Sequence, residues 1–148
     1  MSNTSVFSSV VYLSGPITKD PYCSSWRQDT EKWFHDRNIR TLNPLRETYL
    51  SKIGELGLGG AEPSCLVVKR DLIDIQKSNA LLINLLYIPE RQCVGSFIEV
   101  GFAVAKGIPF VVVTTSDTLL RHSFVKHLPI KIESTLEEGM ESVRFLLS

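Results

Sequence analysis

The chain has 148 residues, the length of one domain with room for a sizeable core, and its 43% hydrophobic and 22% charged residues fit a soluble globular protein. Formal net charge is zero and no more than two basic residues adjoin, so nothing global attracts nucleic acid or an anionic membrane. Apolar runs of under ten residues are too short to span a bilayer, and "MSNTSVFSSV" lacks the basic start and long apolar core of a signal peptide.

Cys23, Cys65 and Cys93 are odd in number and far apart, without a Cys-x-x-Cys pair, which argues against zinc and against a disulfide framework. The expected compartment is the cytoplasm. His35, His122 and His127 show no metal-ligand spacing, and His122 and His127, in the polar "LLRHSFVKH" segment, read as surface residues.

Along the chain, strands and helices alternate. "SVVYL" (Ser9 to Leu13) is β-branched and stops at "SGP", a strand followed by a turn. Ser24 to Asn38 reads as a helix capped by Ser24 or Ser25, with Trp26, Thr30, Trp33 and Phe34 on one face. Ile39 to Leu42 is a short strand ended by "NP". The glycine-rich "LRETYLSKIGELGLGGAEP" has no clear period and reads as a long loop.

Ser64 to Ser78 is the second helix, and "ALLINLL" (Ala80 to Leu86) a strand buried on both faces. The third helix runs from Ser96 to Lys106 and stops at Gly107; Pro109 to Thr114 is another buried strand. Asp117 to Lys126 suggests a short helix, "PIKI" an edge strand, and Thr135 to Ser148 a last helix with Leu136, Met140, Val143 and Leu147 on one stripe. This order implies a single domain over residues 1–148: an α/β, flavodoxin/Rossmann-like three-layer sandwich around a five-stranded, mostly parallel sheet. Ligands of such sheets bind beyond the carboxyl ends of the strands, where "SGPITKD", "YIPERQCVGS" and "TTSD" converge.

The chemistry concentrates at that rim. "SFIE" (Ser96 to Glu99) has the spacing of a capping box, with Glu99 returning to the Ser96 backbone. Yet the helix is otherwise apolar, through Ile98, Val100, Phe102 and Ala103 to Ala105, and a carboxylate at the mouth of a buried helix is partly desolvated. That makes Glu99 a candidate nucleophile or general base.

In "KRDLIDI", Val68, Leu72 and Ile75 define an inner face; Asp71 borders it and Asp74 points toward solvent, while Leu66 and Ile73 form a second apolar face suited to another subunit. In "SGPITKD", Gly15 lets the backbone approach a ligand, and Lys19 with the loop amides can hold an anion. Tyr12 reads as core with a hydroxyl that can reach the rim.

Taken in order, "YLSGPI", Trp26-Arg27, "NPLR" (Asn43 to Arg46), "KRDLIDIQKSNALL" and "GSFIEVGFAVAKGIPFVVV" resemble the nucleoside 2-deoxyribosyltransferase family, whose relatives include hydrolases of deoxynucleoside 5′-monophosphates. The resemblance implies cleavage of the N-glycosidic bond of 2′-deoxynucleosides through a glycosyl-enzyme on Glu99, transfer of the 2-deoxyribosyl group to another nucleobase, and no cofactor. It makes Glu99 and Asp71 catalytic and assigns substrate contacts to Tyr12, Ser14, Gly15, Pro16, Ile17, Gly95 and Ser96. It also implies a homodimer or higher homo-oligomer with a shared active site, to which a neighbour's Arg121, His122 or Ser123 could contribute.

Two departures stand out. Cys93 occupies a position where some members carry a second, base-contacting acid, and "SN" replaces "SD" at Ser78-Asn79. Two alternatives remain open at this point: an N-glycosidase that passes the sugar of a (deoxy)nucleoside 5′-monophosphate to water, and a nucleotide-sensing module without turnover.

Overall fold

The computed structural model describes residues 9–17, 20–46, 63–87 and 93–148. Lys19 and most of the glycine-rich loop lie outside the described residues. Five strands, β1 (Ser9–Ser14), β2 (Ile39–Leu42), β3 (Ala80–Asn84), β4 (Phe110–Val113) and β5 (Lys131–Glu133), form one sheet in the order β2-β1-β3-β4-β5. Every pairing is parallel. The helices are α1 (Tyr22–His35), α2 (Pro63–Lys77), α3 (Val94–Lys106), α4 (Asp117–Arg121), α5 (Ser123–His127) and α6 (Leu136–Leu146).

Side chains of successive strand residues point to opposite faces, and the core divides accordingly. Val11, Leu13, Leu82, Val111 and Val113 pack with Trp26 and Phe34 of α1 and with Met140 and Val143 of α6. Tyr12, Leu81, Ile83, Phe110 and Val112 pack on the other face with Ile75 of α2 and Ala103 of α3. Both faces are therefore covered, as the unbroken apolar runs of β3 and β4 require. The chain runs outward from β1 to β2 and then crosses to β3, so the crevice between the carboxyl ends of β1 and β3 is the topological switch point.

Several local expectations are corrected. Neither Ser24 nor Ser25 caps α1: Asp20 Oδ1 accepts from the Tyr22 N–H at 2.9 Å, and the two serine hydroxyls donate back to the carbonyls of Pro21 and Tyr22. The segment after β4 is two short helices, divided by extended backbone at His122. Val68 does not face inward: it is 55% exposed, as Ile73 is at 50%, while Leu72 and Ile75 carry the packing. By contrast, the last helix keeps its stripe, and Thr135 caps it by accepting from the Glu138 N–H at 3.2 Å.

Gly139 lets α6 sit closely on the sheet, because a Cβ there would collide with the buried, β-branched Val113 and press on Leu82. Gly139→Ala is therefore expected to lower stability by about 1–3 kcal/mol. Urea unfolding would check this; an unchanged midpoint would show that the helix moves aside without cost.

Candidate active site

Strand alternation places Tyr12 and Ser14 on the same side of β1, facing α2 and α3. Both are completely buried. Beyond Ser14 the chain turns at Gly15, which packs so closely that a Cβ would lie 2.8 Å from the Asn84 carbonyl oxygen and 3.2 Å from the Trp26 ring. A side chain does not fit there, and the turn therefore seats directly on the end of β3. Pro16 is half-buried and Ile17 exposed, so the strand exit opens onto the rim within two residues.

The helix carrying Glu99 begins at Val94, with Cys93 as its N-cap residue and no side-chain cap. This overturns the capping-box reading. Ser96 already lies in the first turn, buried, and Glu99 follows in the second, where the backbone N–H groups are bonded within the helix. Gly95 and Ser96 precede Glu99 by four and three residues and share its helix face, between it and the helix mouth.

The Glu99 side chain is half-buried, but its Oε2 is fully enclosed, as are Tyr12 Oη and Ser14 Oγ. The two hydroxyls face the carboxyl closely enough to lower its pKa, yet neither makes a well-directed hydrogen bond to it. Among the described residues, these three buried polar atoms thus converge without a hydrogen-bond partner, as a site for a polar ligand requires.

Burial, with the nearby Asp71 charge adding to it, pushes the Glu99 pKa up to about 7 against the opposing influence of Tyr12, Arg27 and Ser14. Burial, with Glu99 and Asp71 adding to it, also drives the Tyr12 phenol far above its ordinary value, so it stays protonated and can only donate to a carboxylate.

Asp71 is half-buried on α2, and burial raises its carboxyl above the usual range although Arg70, 3.1 Å away, pulls it down. Arg70 also donates to the Pro44 carbonyl, tying α2 to the turn after β2. Asp74 does not point into solvent: it is 5% exposed and bonds Arg46 Nη2 at 2.7 Å. The partner lies 28 positions away in sequence, which is why a helical wheel cannot find it.

The structure therefore brings Tyr12, Ser14, Asp71 and Glu99 into one electrostatic cluster, with Gly15 and Ser96 at its edges. It adds Arg27, whose guanidinium is wholly buried beside them. Sequence reasoning noted Arg27 only as half of a Trp-Arg pair, because a charged residue on an amphipathic helix defaults to the solvent side. No group of three or more potential metal ligands occurs among the described residues, and no described helix is long and apolar enough to cross a membrane.

Comparison with known proteins agrees with this fold. The family model described as nucleoside 2-deoxyribosyltransferase matches residues 11–142. Among solved structures, a conserved protein of Enterococcus faecalis superposes with a TM-score of 0.70 at 15% identity, covering 93% of this chain and 98% of that one. A 2-deoxyribosyltransferase of Leishmania mexicana gives 0.67 at 12% identity, covering 94% and 97%. A CMP N-glycosidase of Clostridium botulinum gives 0.59 at 12% identity, covering 93% and 98%. At these identities the superpositions establish the fold. No curated protein sequence matches this chain.

The raised pKa makes stability depend on pH. Between the ordinary glutamate value and about 7 the folded state holds a proton that the unfolded chain releases, so stability falls as pH rises through that window. Replacing Glu99 with Gln removes the cost of a buried charge. Glu99→Gln should therefore be more stable than the parent by about 1–3 kcal/mol at pH 8, with the gap closing toward pH 5. Denaturant unfolding at both values tests this; a pH-independent difference would mean that the carboxyl titrates normally.

Proposed function

Because the chain belongs to the nucleoside 2-deoxyribosyltransferase family, we propose that it breaks the N-glycosidic bond of 2′-deoxynucleosides with Glu99 as nucleophile and passes the sugar to a second nucleobase. The observation that carries the reading is the Glu99 carboxyl, sunk among Tyr12, Ser14 and Asp71 at the switch point of the sheet.

In its ionised form Glu99 attacks the anomeric carbon. The carbon–oxygen bond forms while the carbon–nitrogen bond breaks, and the bonding pair leaves with the base. The transition state is oxocarbenium-like, so a nearby carboxylate stabilises the positive charge before bonding to it. The departing nitrogen needs a proton or a hydrogen bond. Asp71, held above the usual carboxylate range, supplies it in its protonated form and takes one back when the incoming base attacks. Tyr12 and Ser14 orient the nucleophile, while Gly15 to Ile17, Gly95 and Ser96 border the sugar.

A second reading replaces the incoming base with water. The Clostridium botulinum structure is that of a CMP N-glycosidase, and Cys93 favours the same direction. Burial pushes its thiol up, so it stays a neutral thiol and offers no carboxylate to an incoming base.

We also propose that a second copy of this chain closes the site. Phe97 and Ile98, next before Glu99 in α3, are exposed, Ile98 at 61%. An apolar groove of about 600 Å³ runs from Phe97 and Val104 to Leu119, Phe124 and Leu128. Because the groove is built on the helix that carries Glu99, a copy seated there would fix the position of that helix. Sedimentation should give at least a dimer, and Phe124→Glu should dissociate it and depress turnover. A monomeric, fully active parent would rule out the shared site.

For the chemistry, Glu99→Gln should lower turnover roughly a thousandfold or more while remaining folded. Deoxyinosine with free adenine separates the readings: deoxyadenosine as product supports transfer, whereas release of base from a deoxynucleoside monophosphate alone supports hydrolysis. Cleavage undiminished in the variant would dismiss Glu99 as nucleophile.

A further inference from the structure

We infer that Arg27 is the positioning residue of this site, a buried guanidinium that grips the strand-exit turn by its backbone carbonyls and holds a positive charge behind Glu99. Its location on α1 is unusual for such a task, since α1 packs on the face of the sheet opposite α2 and α3. The side chain reaches the rim by passing beneath the turn that β1 makes at Gly15.

Three donors are spent on that turn and its surroundings. Nη2 donates to the Gly15 carbonyl at 2.8 Å, Nη1 to the Cys23 carbonyl at 2.6 Å, and Nε to the Leu13 carbonyl at the longer distance of 3.5 Å. The guanidinium also lies 4.6 Å from the centre of the Trp26 ring. Leu13 and Gly15 flank Ser14, and Tyr12 precedes them. Fixing these carbonyls therefore fixes the strand end from which both hydroxyls face Glu99. The planar, forked geometry of arginine allows this; a lysine ammonium has the charge without the fork.

The charge itself has no contact ion pair. No described carboxylate lies within salt-bridge distance of Arg27, although it is completely buried. Burial alone lowers its pKa, and the groups that oppose this are Cys23 first and then Tyr12, Glu99 and Asp71. Glu99 is the reciprocal case: a buried carboxyl with no contact cation among the described residues, whose pKa Arg27 pulls down. The other groups acting on Glu99 are Tyr12 and Ser14 from β1 and Asp71 from α2. Behind Asp71 stand Arg70, Arg46 and Asp74, already committed to the two ion pairs. Among the described residues Arg27 is thus the cation that acts on Glu99, adding to the larger lowering by Tyr12 without occupying the carboxyl oxygens.

The test uses the full-length protein with Arg27→Met and Arg27→Lys, and reads the Glu99 carboxyl by carbon-13 NMR titration, assigned with Glu99→Gln. Methionine fills the space without charge, and a buried ionic group replaced in this way often leaves a folded protein. Arg27→Met should move the Glu99 titration up by about one unit or more, and should shift the acid limb of the rate profile with it. Arg27→Lys should leave the titration near its parent value but lower turnover about tenfold, because the turn is no longer held.

A folded Arg27→Met with an unmoved Glu99 titration would overturn the electrostatic role, and parent-like turnover in Arg27→Lys would overturn the positioning role. Failure of both variants to fold would reduce Arg27 to a structural residue. The inference draws on the proposed reaction only for its rates. A parent protein without glycosidic activity would defeat that reaction, while the NMR arm would still decide whether Arg27 governs Glu99.

Discussion

Withholding water from one carboxyl group is the constraint on which the rest of the site depends. Glu99 is placed where Tyr12 and Ser14 face it from a strand whose opposite side chains, Val11 and Leu13, are packed beneath α1 and α6. The alternation of a single strand therefore does two things: it anchors the sheet on one side and lines the site on the other. Had the β1 register slipped by one residue, both hydroxyls would have turned into the apolar layer and Leu13 toward Glu99. The close seat of Gly15 on the Asn84 carbonyl reinforces the register from the strand's exit.

The sequence was most informative where a local period carries the information. The apolar runs of β3 and β4 signalled strands buried on both faces, and strand–helix alternation signalled a parallel sheet with its ligand rim. Both follow from neighbours in the chain. Glu99 was found for a reason only half right. Its position near a helix start at the rim was correct, but the helix begins earlier, at Val94, and no side chain caps it. Glycine and serine within a first helical turn read as loop or cap from propensity alone, and packing on the sheet overrides that preference.

Asp74 and Arg27 resisted reading for a different reason. Their settings depend on contacts between distant segments: Arg46 follows β2 and reaches α2, while Arg27 extends from α1 to carbonyls at the end of β1. A helical wheel ranks positions by the direction of a side chain, and cannot know that a backbone carbonyl or guanidinium waits there. Charged residues with such long-range partners are where a local reading is bound to assign solvent.

The distribution of charge explains why Glu99, rather than either aspartate, suits nucleophilic attack. Asp71 and Asp74 each contact an arginine, at 3.1 Å and 2.7 Å. A contact with arginine at that distance occupies the carboxyl's lone pairs, leaving an oxygen less able to bond to carbon. A carboxyl with no cation in reach would face the opposite difficulty, remaining protonated in a water-poor setting. Glu99 lies between these limits. Arg27 lowers its pKa from beyond contact distance, Tyr12 and Ser14 face it without saturating it, and Oε2 has no hydrogen-bond partner among the described residues. The same arrangement accounts for a titration near neutrality: the carboxyl is charged often enough to react, and its oxygens are unencumbered when it is.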